Sequence, residues 1–214
     1  MFKDRKDAGE QLAQALDSYK GKDVLVLAIP RGGVELGYEV AKALNADFSL
    51  VVVRKLPYPD NPEAGFGAVA EDGSTFTFDQ SVHTLPNQAV ERIIRRQRDE
   101  VARRIEILRK GKPLPEIEGR TVILVDDGIA MGSTMRAAIA LCKHQGVGEI
   151  VVASPVSSER VKEEIRQLVD RVVILVTPPF FRAVAQVYQN WYDVSDREVL
   201  DIMEKWDREK QPSR

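Results

Sequence analysis

The chain has 214 residues, a formal net charge of −2, 43% hydrophobic and 30% charged residues, the profile of an ordinary globular chain with room for one substantial core. The near balance of charge removes any electrostatic reason to expect nucleic acid or an anionic membrane as a partner. A single cysteine, Cys142, excludes an internal disulfide framework and fits a reducing compartment. The charged start, Met1 to Asp7, is unlike a signal peptide and no apolar run nears membrane-spanning length, so the chain is expected in the cytoplasm.

Residues 4–19 predict an amphipathic helix with Ala8, Leu12, Ala15, Leu16 and Tyr19 on one face, stopped by Gly21. Val24 to Ile29 is an apolar run typical of a strand buried on both faces. It ends at Pro30-Arg31-Gly32-Gly33, and a helix follows from about Val34 to Leu44. Two glycines after a strand let backbone amides approach an anion, and Arg31 adds a fixed positive charge; the same residues also read as a glycine turn with a surface arginine. Phe48 to Val53 predicts the next strand, with Arg54 and Lys55 at its end, facing either a site edge or solvent. The proline-rich stretch 57–65 reads as an irregular loop.

Phe66–Val69 and Ser74–Phe78 predict a hairpin, with Glu71 and Asp72 assigned to its turn rather than to a metal. His83 is left outside any site. Residues 87–110 form a long amphipathic pattern with Val90, Ile94, Val101, Ile105 and Leu108 as its stripe. Its arginines interleave with Glu91, Asp99, Glu100 and Glu106, which reads as a solvated, salt-bridged face rather than an RNA surface.

Thr121 to Val125 is a further buried strand, followed by Asp126 and Asp127, a loop with Gly128 and Gly132, and a helix that opens at Ser133-Thr134. Unpaired N–H groups and partial positive charge at a helix start attract phosphate. The acids repel phosphate but suit sugar hydroxyls or a divalent cation. The loop has no Gly-Lys-Ser/Thr, so it is not a Walker A motif. Strands at 149–153 and 172–176 flank a helix at 159–169. Five apolar strands alternating with helices predict one α/β domain with an open, mostly parallel sheet, helices on both faces, and the marked loops along one edge.

After the last strand the chain is rich in aromatics, from Phe180 and Phe181 to Tyr188, Trp191 and Tyr192. These either stack on a planar ligand or seal the core, the latter above all for Trp191. A helix over 195–207 starts in a capping box of Ser195 and Glu198, and a disordered tail is expected from Lys210 to Arg214.

Val125-Asp126-Asp127 followed four residues later by Gly132-Ser133-Thr134 resembles the phosphoribosyl pyrophosphate (PRPP) motif of type I phosphoribosyltransferases. The resemblance implies a five-stranded core over about 20–177 with a small hairpin and helical hood from 79–118 and 178–208. It implies transfer of 5-phosphoribosyl from PRPP to a nucleobase or similar acceptor, with release of pyrophosphate and assistance from Mg2+. Asp126 and Asp127 would hold the ribose hydroxyls and the metal. Ala130, Met131, Gly132, Ser133 and Thr134 would form the loop around the 5-phosphate, with Gly128 and Ile129 also binding substrate. Arg31, Gly32, Gly33, Arg54 and Lys55 would grip pyrophosphate, with Arg31 and Lys55 assisting its departure. Phe180 and Phe181 would meet the base, and 57–65 would be a lid. The family also allows a homo-oligomer.

Two departures bear on substrate. Met131 stands where the family often has threonine, and Ala130 stands where hypoxanthine–guanine enzymes carry an acid, which turns the expectation away from 6-oxopurines. The alternative implied by the same resemblance is a non-catalytic regulator that binds PRPP or a nucleotide. On this reading Asp127→Asn weakens PRPP binding far more than it lowers folding stability.

Overall fold

The computed structural model describes residues 1–82 and 85–210, apart from the side chains of Glu63 and Ser81. Helix α1 (Arg5–Ala15) is capped by the Asp4 carboxylate, which accepts from the Asp7 amide at 2.9 Å. Strand β1 (Val24–Ala28), buried at every position, leads through the glycine loop to α2 (Gly33–Leu44) and then β2 (Asp47–Leu50). The chain next leaves the main sheet. Strands β3 (Val53–Tyr58), β4 (Asn61–Ala70) and β5 (Thr75–Thr77) form a separate antiparallel sheet. A short helix α3 (Asp79–Val82) and the long α4 (Asn87–Arg109) follow. The chain then returns to the main sheet as β6 (Thr121–Val125), α5 (Ser133–His144), β7 (Glu149–Val156), α6 (Glu159–Arg166) and β8 (Arg171–Val176), and closes with α7 (Asp196–Lys210).

The main sheet is parallel throughout, in the order β2-β1-β6-β7-β8. Alternate side chains of β1 divide between two cores: Val24, Val26 and Ala28 pack with α1, α2 and α7, while Leu25 and Leu27 pack with α5 and α6. Burial on both faces is why these strands read as unbroken apolar runs. The chain turns one way from β1 to β2 and the other way from β6 onward, so the switch point lies between β1 and β6. Their ends are level, with Ala28 opposite Val125, and the two glycine loops therefore start side by side.

The expected loop at 57–65 is instead the paired tip of the β3–β4 ribbon, with Tyr58 opposite Asn61 and register shifts on both sides of Pro57. Proline is tolerated where a ladder is interrupted, so a proline-rich stretch can still form strand. The expected strand over 48–53 divides: β2 ends at Leu50, and Val53 opens the second sheet. Helix α4 lays Val90 and Val101 on Leu56, Phe66 and Val69, making a third, smaller core under the second sheet.

Glu71 lies in the hairpin turn between β4 and β5 as expected, but its side chain does more than serve the turn. It is buried and ion-paired with Arg109 at the end of α4, and its Oε1 accepts the Val52 amide at 2.9 Å. Asp72 does serve the turn, accepting from the Ser74 amide at 2.8 Å. The Ser195–Glu198 capping box is present at α7. His83 and residues 211–214 lie outside the described residues, whereas Lys210 ends α7. No helix among the described residues is long and apolar enough to cross a membrane.

Cys142 is fully buried in α5, and burial pushes its thiol up to about 12. The native protein is expected to resist alkylation by iodoacetamide at pH 8 and to take up one equivalent on unfolding. Rapid labelling of the folded chain, followed by mass spectrometry, would show the thiol to be accessible.

Candidate active site

Two helices begin at the switch point, and neither start carries a side-chain cap. The N-cap of α2 is Gly32 and that of α5 is Gly132, whereas α1 and α6 are capped by Asp4 and Ser158. The first-turn N–H groups of α5 thus remain available to an anion. Gly132 has a φ of 76°, and a Cβ there would lie 2.7 Å from Arg136 Nη1. That guanidinium braces the loop from behind. Arg136 Nη1 donates to the Met131 carbonyl at 2.8 Å, Nη2 pairs with Glu164, and the group sits over the Phe76 ring at 5.2 Å. Ser133 is buried, while Ala130 and Met131 are exposed.

The loop from Gly128 to Thr134 floors a cleft of about 770 Å³, whose walls include Lys55, Tyr58, Phe78, Asp79 and Gln80. The tip of the β3–β4 ribbon, through Ala64 and Gly65, overhangs it. Asp126 and Asp127 stand beside the cleft rather than lining it. Asp126 Oδ1 accepts the Asp127 amide at 2.9 Å. Burial pushes both carboxyls upward; the charge of Asp127 adds to the rise at Asp126, whereas the guanidinium facing Asp127 holds that one back.

That guanidinium belongs to Arg5, at the first turn of α1 and only 3% exposed. Its Nε donates to Asp127 Oδ2 at 2.9 Å and its Nη1 to the Tyr192 carbonyl at 2.9 Å, and the Trp191 ring stacks on it at 4.0 Å. Tyr188 donates its hydroxyl to the Asp127 carbonyl at 2.7 Å. Val184 packs so closely on Gly128 that a Cβ there would lie 2.3 Å from a Val184 methyl. The aromatic segment after β8 thus shapes the acidic loop from outside. Phe180 is 79% exposed and Phe181 packs on the main core; neither lines the cleft.

The loop after β1 presses on the same acids. A Cβ on Gly32 would lie 1.9 Å from Asp127 Oδ2, and one on Gly33 2.6 Å from the Val125 carbonyl. Only glycine permits this approach. Arg31 reaches away from the aspartates to Asp196, at 3.5 Å. Arg54 donates to Gln97 at 3.4 Å, and Lys55 borders the cleft. The fold therefore brings together the phosphate-type loop, the acid pair, the Gly32-Gly33 turn and Lys55. It sets Arg31 and Arg54 to one side and leaves Phe180 outside. Sequence reasoning missed Arg5, which lies 122 positions from its partner in a segment that reads only as charged.

The donor set fits magnesium. Two adjacent, crowded carboxylates offer hard oxygens, and such an ion is commonly held by one or two carboxylates together with substrate phosphates. Among the described residues no group of three or more acidic, histidine or cysteine side chains gathers as a self-sufficient metal site.

An uncapped helix start and an acid pair stand at the switch point of a doubly wound α/β sheet, the usual place for a ligand in such folds. The chain belongs to the phosphoribosyl transferase domain family, whose model matches residues 3–190. It is 41% identical over 211 residues to proteins of Mycobacterium tuberculosis strains CDC 1551 and H37Rv, each named "Putative phosphoribosyl transferase". The match covers 98% of this chain and 48% of theirs, so the chain spans about half the length of these curated relatives. The crystal structure of TT1426 from Thermus thermophilus superposes with a TM-score of 0.81 at 37% identity, covering 96% of this chain and 99% of that one.

Proposed function

We propose that the protein transfers a 5-phosphoribosyl group from PRPP to a nucleobase or similar acceptor and releases pyrophosphate. The observation that carries this reading is the placement of an uncapped, amide-lined helix start directly after two crowded carboxylates at the switch point. One element suits a sugar's phosphate and the other its hydroxyls.

As the bond from ribose carbon 1 to pyrophosphate lengthens, positive charge grows on the sugar and negative charge on the leaving group. The amides of 130–134 anchor the 5-phosphate. Asp126 and Asp127 orient the hydroxyls and face the developing positive charge, while Arg31, Arg54 and Lys55 offset the negative charge. Asp126 and Asp127 would hold magnesium, which would supply charge neutralisation as a Lewis acid. Tyr58 and Phe78 offer the cleft two aromatic faces, and Asp79 and Gln80 offer polar groups. These suit a flat acceptor with N–H donors, and Ala130 offers it no acid.

The test is pyrophosphate release from PRPP with magnesium across a panel of bases. Release is expected with at least one base, which names the acceptor. Tight PRPP binding with no turnover on any acceptor would instead identify a regulator, and an absence of PRPP binding would end both readings.

A further inference from the structure

Beside the acid pair lies a second convergence of charge, of which the reading above uses Arg31 and Arg54 but neither Arg104 nor Asp196. Arg31, from the loop after β1, and Arg104, from α4, both point at Oδ1 of Asp196, at 3.5 and 3.8 Å. That oxygen is buried and accepts no hydrogen bond. Arg104 also reaches Glu100 at 3.2 Å, as does Arg103 at 2.7 Å. Arg54 stands close by: burial and the neighbouring guanidinium groups of Arg104, Arg103 and Arg31 push it downward. Among the described residues, the ion pairs of Arg31, Arg103 and Arg104 are to Glu100 and Asp196, while Arg54 donates to the neutral Gln97, so four guanidinium groups stand against two carboxylates.

The anion that Arg31 and Arg104 meet is a poor one. Asp196 meets two forks at distances too long for hydrogen bonds and satisfies neither. Nor does α7 need it as a cap, because Ser195 and Glu198 form the capping box. A phosphate group offers three oxygens to the same forks and would satisfy them better.

We infer that Asp196 is a built-in counter-anion that holds Arg31 and Arg104 for an incoming diphosphate and is displaced by it, which makes Arg104 of α4 an anion-binding residue. This rests on the phosphoribosyl transfer reading, in which the diphosphate is the leaving group of PRPP. The α4 surface, which reads in sequence as a solvated face, thus contributes one side of the anion seat. Removing the internal competitor should strengthen binding, an outcome that damage to the fold does not produce.

The experiment titrates the full chain with pyrophosphate and, separately, with ribose 5-phosphate, comparing wild type, Asp196→Asn and Arg104→Ala. Asp196→Asn is expected to tighten pyrophosphate binding about two- to fivefold, by removing one partly exposed like charge from the seat. Arg104→Ala is expected to weaken it about tenfold, the loss of a charge-assisted hydrogen bond. Ribose 5-phosphate affinity should change in neither variant. If Asp196→Asn leaves pyrophosphate affinity unchanged or lowers it, or if no form binds pyrophosphate, the inference falls. Pyrophosphate responding as stated while ribose 5-phosphate fails to bind the wild type would uphold the diphosphate seat and overturn the transfer reading alone.

Discussion

Asp126→Asn is expected to weaken PRPP binding about 30- to 100-fold, the range for losing a charged hydrogen-bond partner, with little change in folding. The amide oxygen of the asparagine still accepts the Asp127 N–H, which Asp126 Oδ1 accepts at 2.9 Å, so the turn keeps its local bond. One of two crowded negative charges disappears, and the folded state loses repulsion rather than attraction. Calorimetric titration with PRPP and magnesium, alongside a thermal melt, reads both quantities. Unchanged affinity would remove Asp126 from the ligand.

The corresponding substitution at Asp127 behaves differently. Sequence alone predicts that Asp127→Asn affects binding and spares stability, but Arg5 changes that expectation. The mutation would leave a guanidinium only 3% exposed facing a neutral amide. Breaking a buried pair by removing one partner costs about 3–5 kcal/mol. Asp127→Asn is therefore expected to lose binding and melting temperature together, and Asp126 is the cleaner probe of the site.

An equally large effect on stability is expected at Glu71→Ala. Both partners of the Glu71–Arg109 pair are buried, and Arg109 also donates to the Leu50 carbonyl at 3.0 Å. The pair joins the end of α4 to the point where the chain passes from one sheet to the other. Losing the carboxylate strands the charge of Arg109 and the amide of Val52. A cost of about 3–5 kcal/mol follows, or a drop in melting temperature of about 10 °C for a chain of this size. The double variant Glu71→Leu with Arg109→Met should recover much of that loss, because apolar side chains of similar volume replace an ion pair that is expensive to desolvate. A single variant that melts like the wild type, or a double variant that melts lower still, would contradict this account. Affinity for PRPP should stay the same in both, since neither residue touches the cleft.

The main sheet, its parallel sense and the acidic loop were legible in the sequence because each rests on local physics. A strand buried on both faces must be apolar throughout, as Val24 to Ala28 and Thr121 to Val125 are. A helix that starts at Gly132 without a side-chain cap announces open amides within a few residues of chain. The second sheet was half legible. Phe66 to Phe78 showed its hairpin, but Pro57 to Gly65 read as a loop because the rule against proline in strands is a rule about regular ladders, and this ladder is irregular at Pro57.

The identity of the residues around the acids belongs to a different class of information. Arg5 meets Asp127 across 122 positions, Arg109 meets Glu71 across 38, and Arg104 meets Asp196 from another helix. In sequence each of these arginines is one charge among 31 basic residues. Only packing removes water from a chosen few and makes their pairing matter. The sequence by itself determined the acid pair and the uncapped helix start that follows it, because both are made by neighbouring residues. The tertiary structure decided which cations stand against the acids, because electrostatic partners are selected by distance and burial in space rather than along the chain.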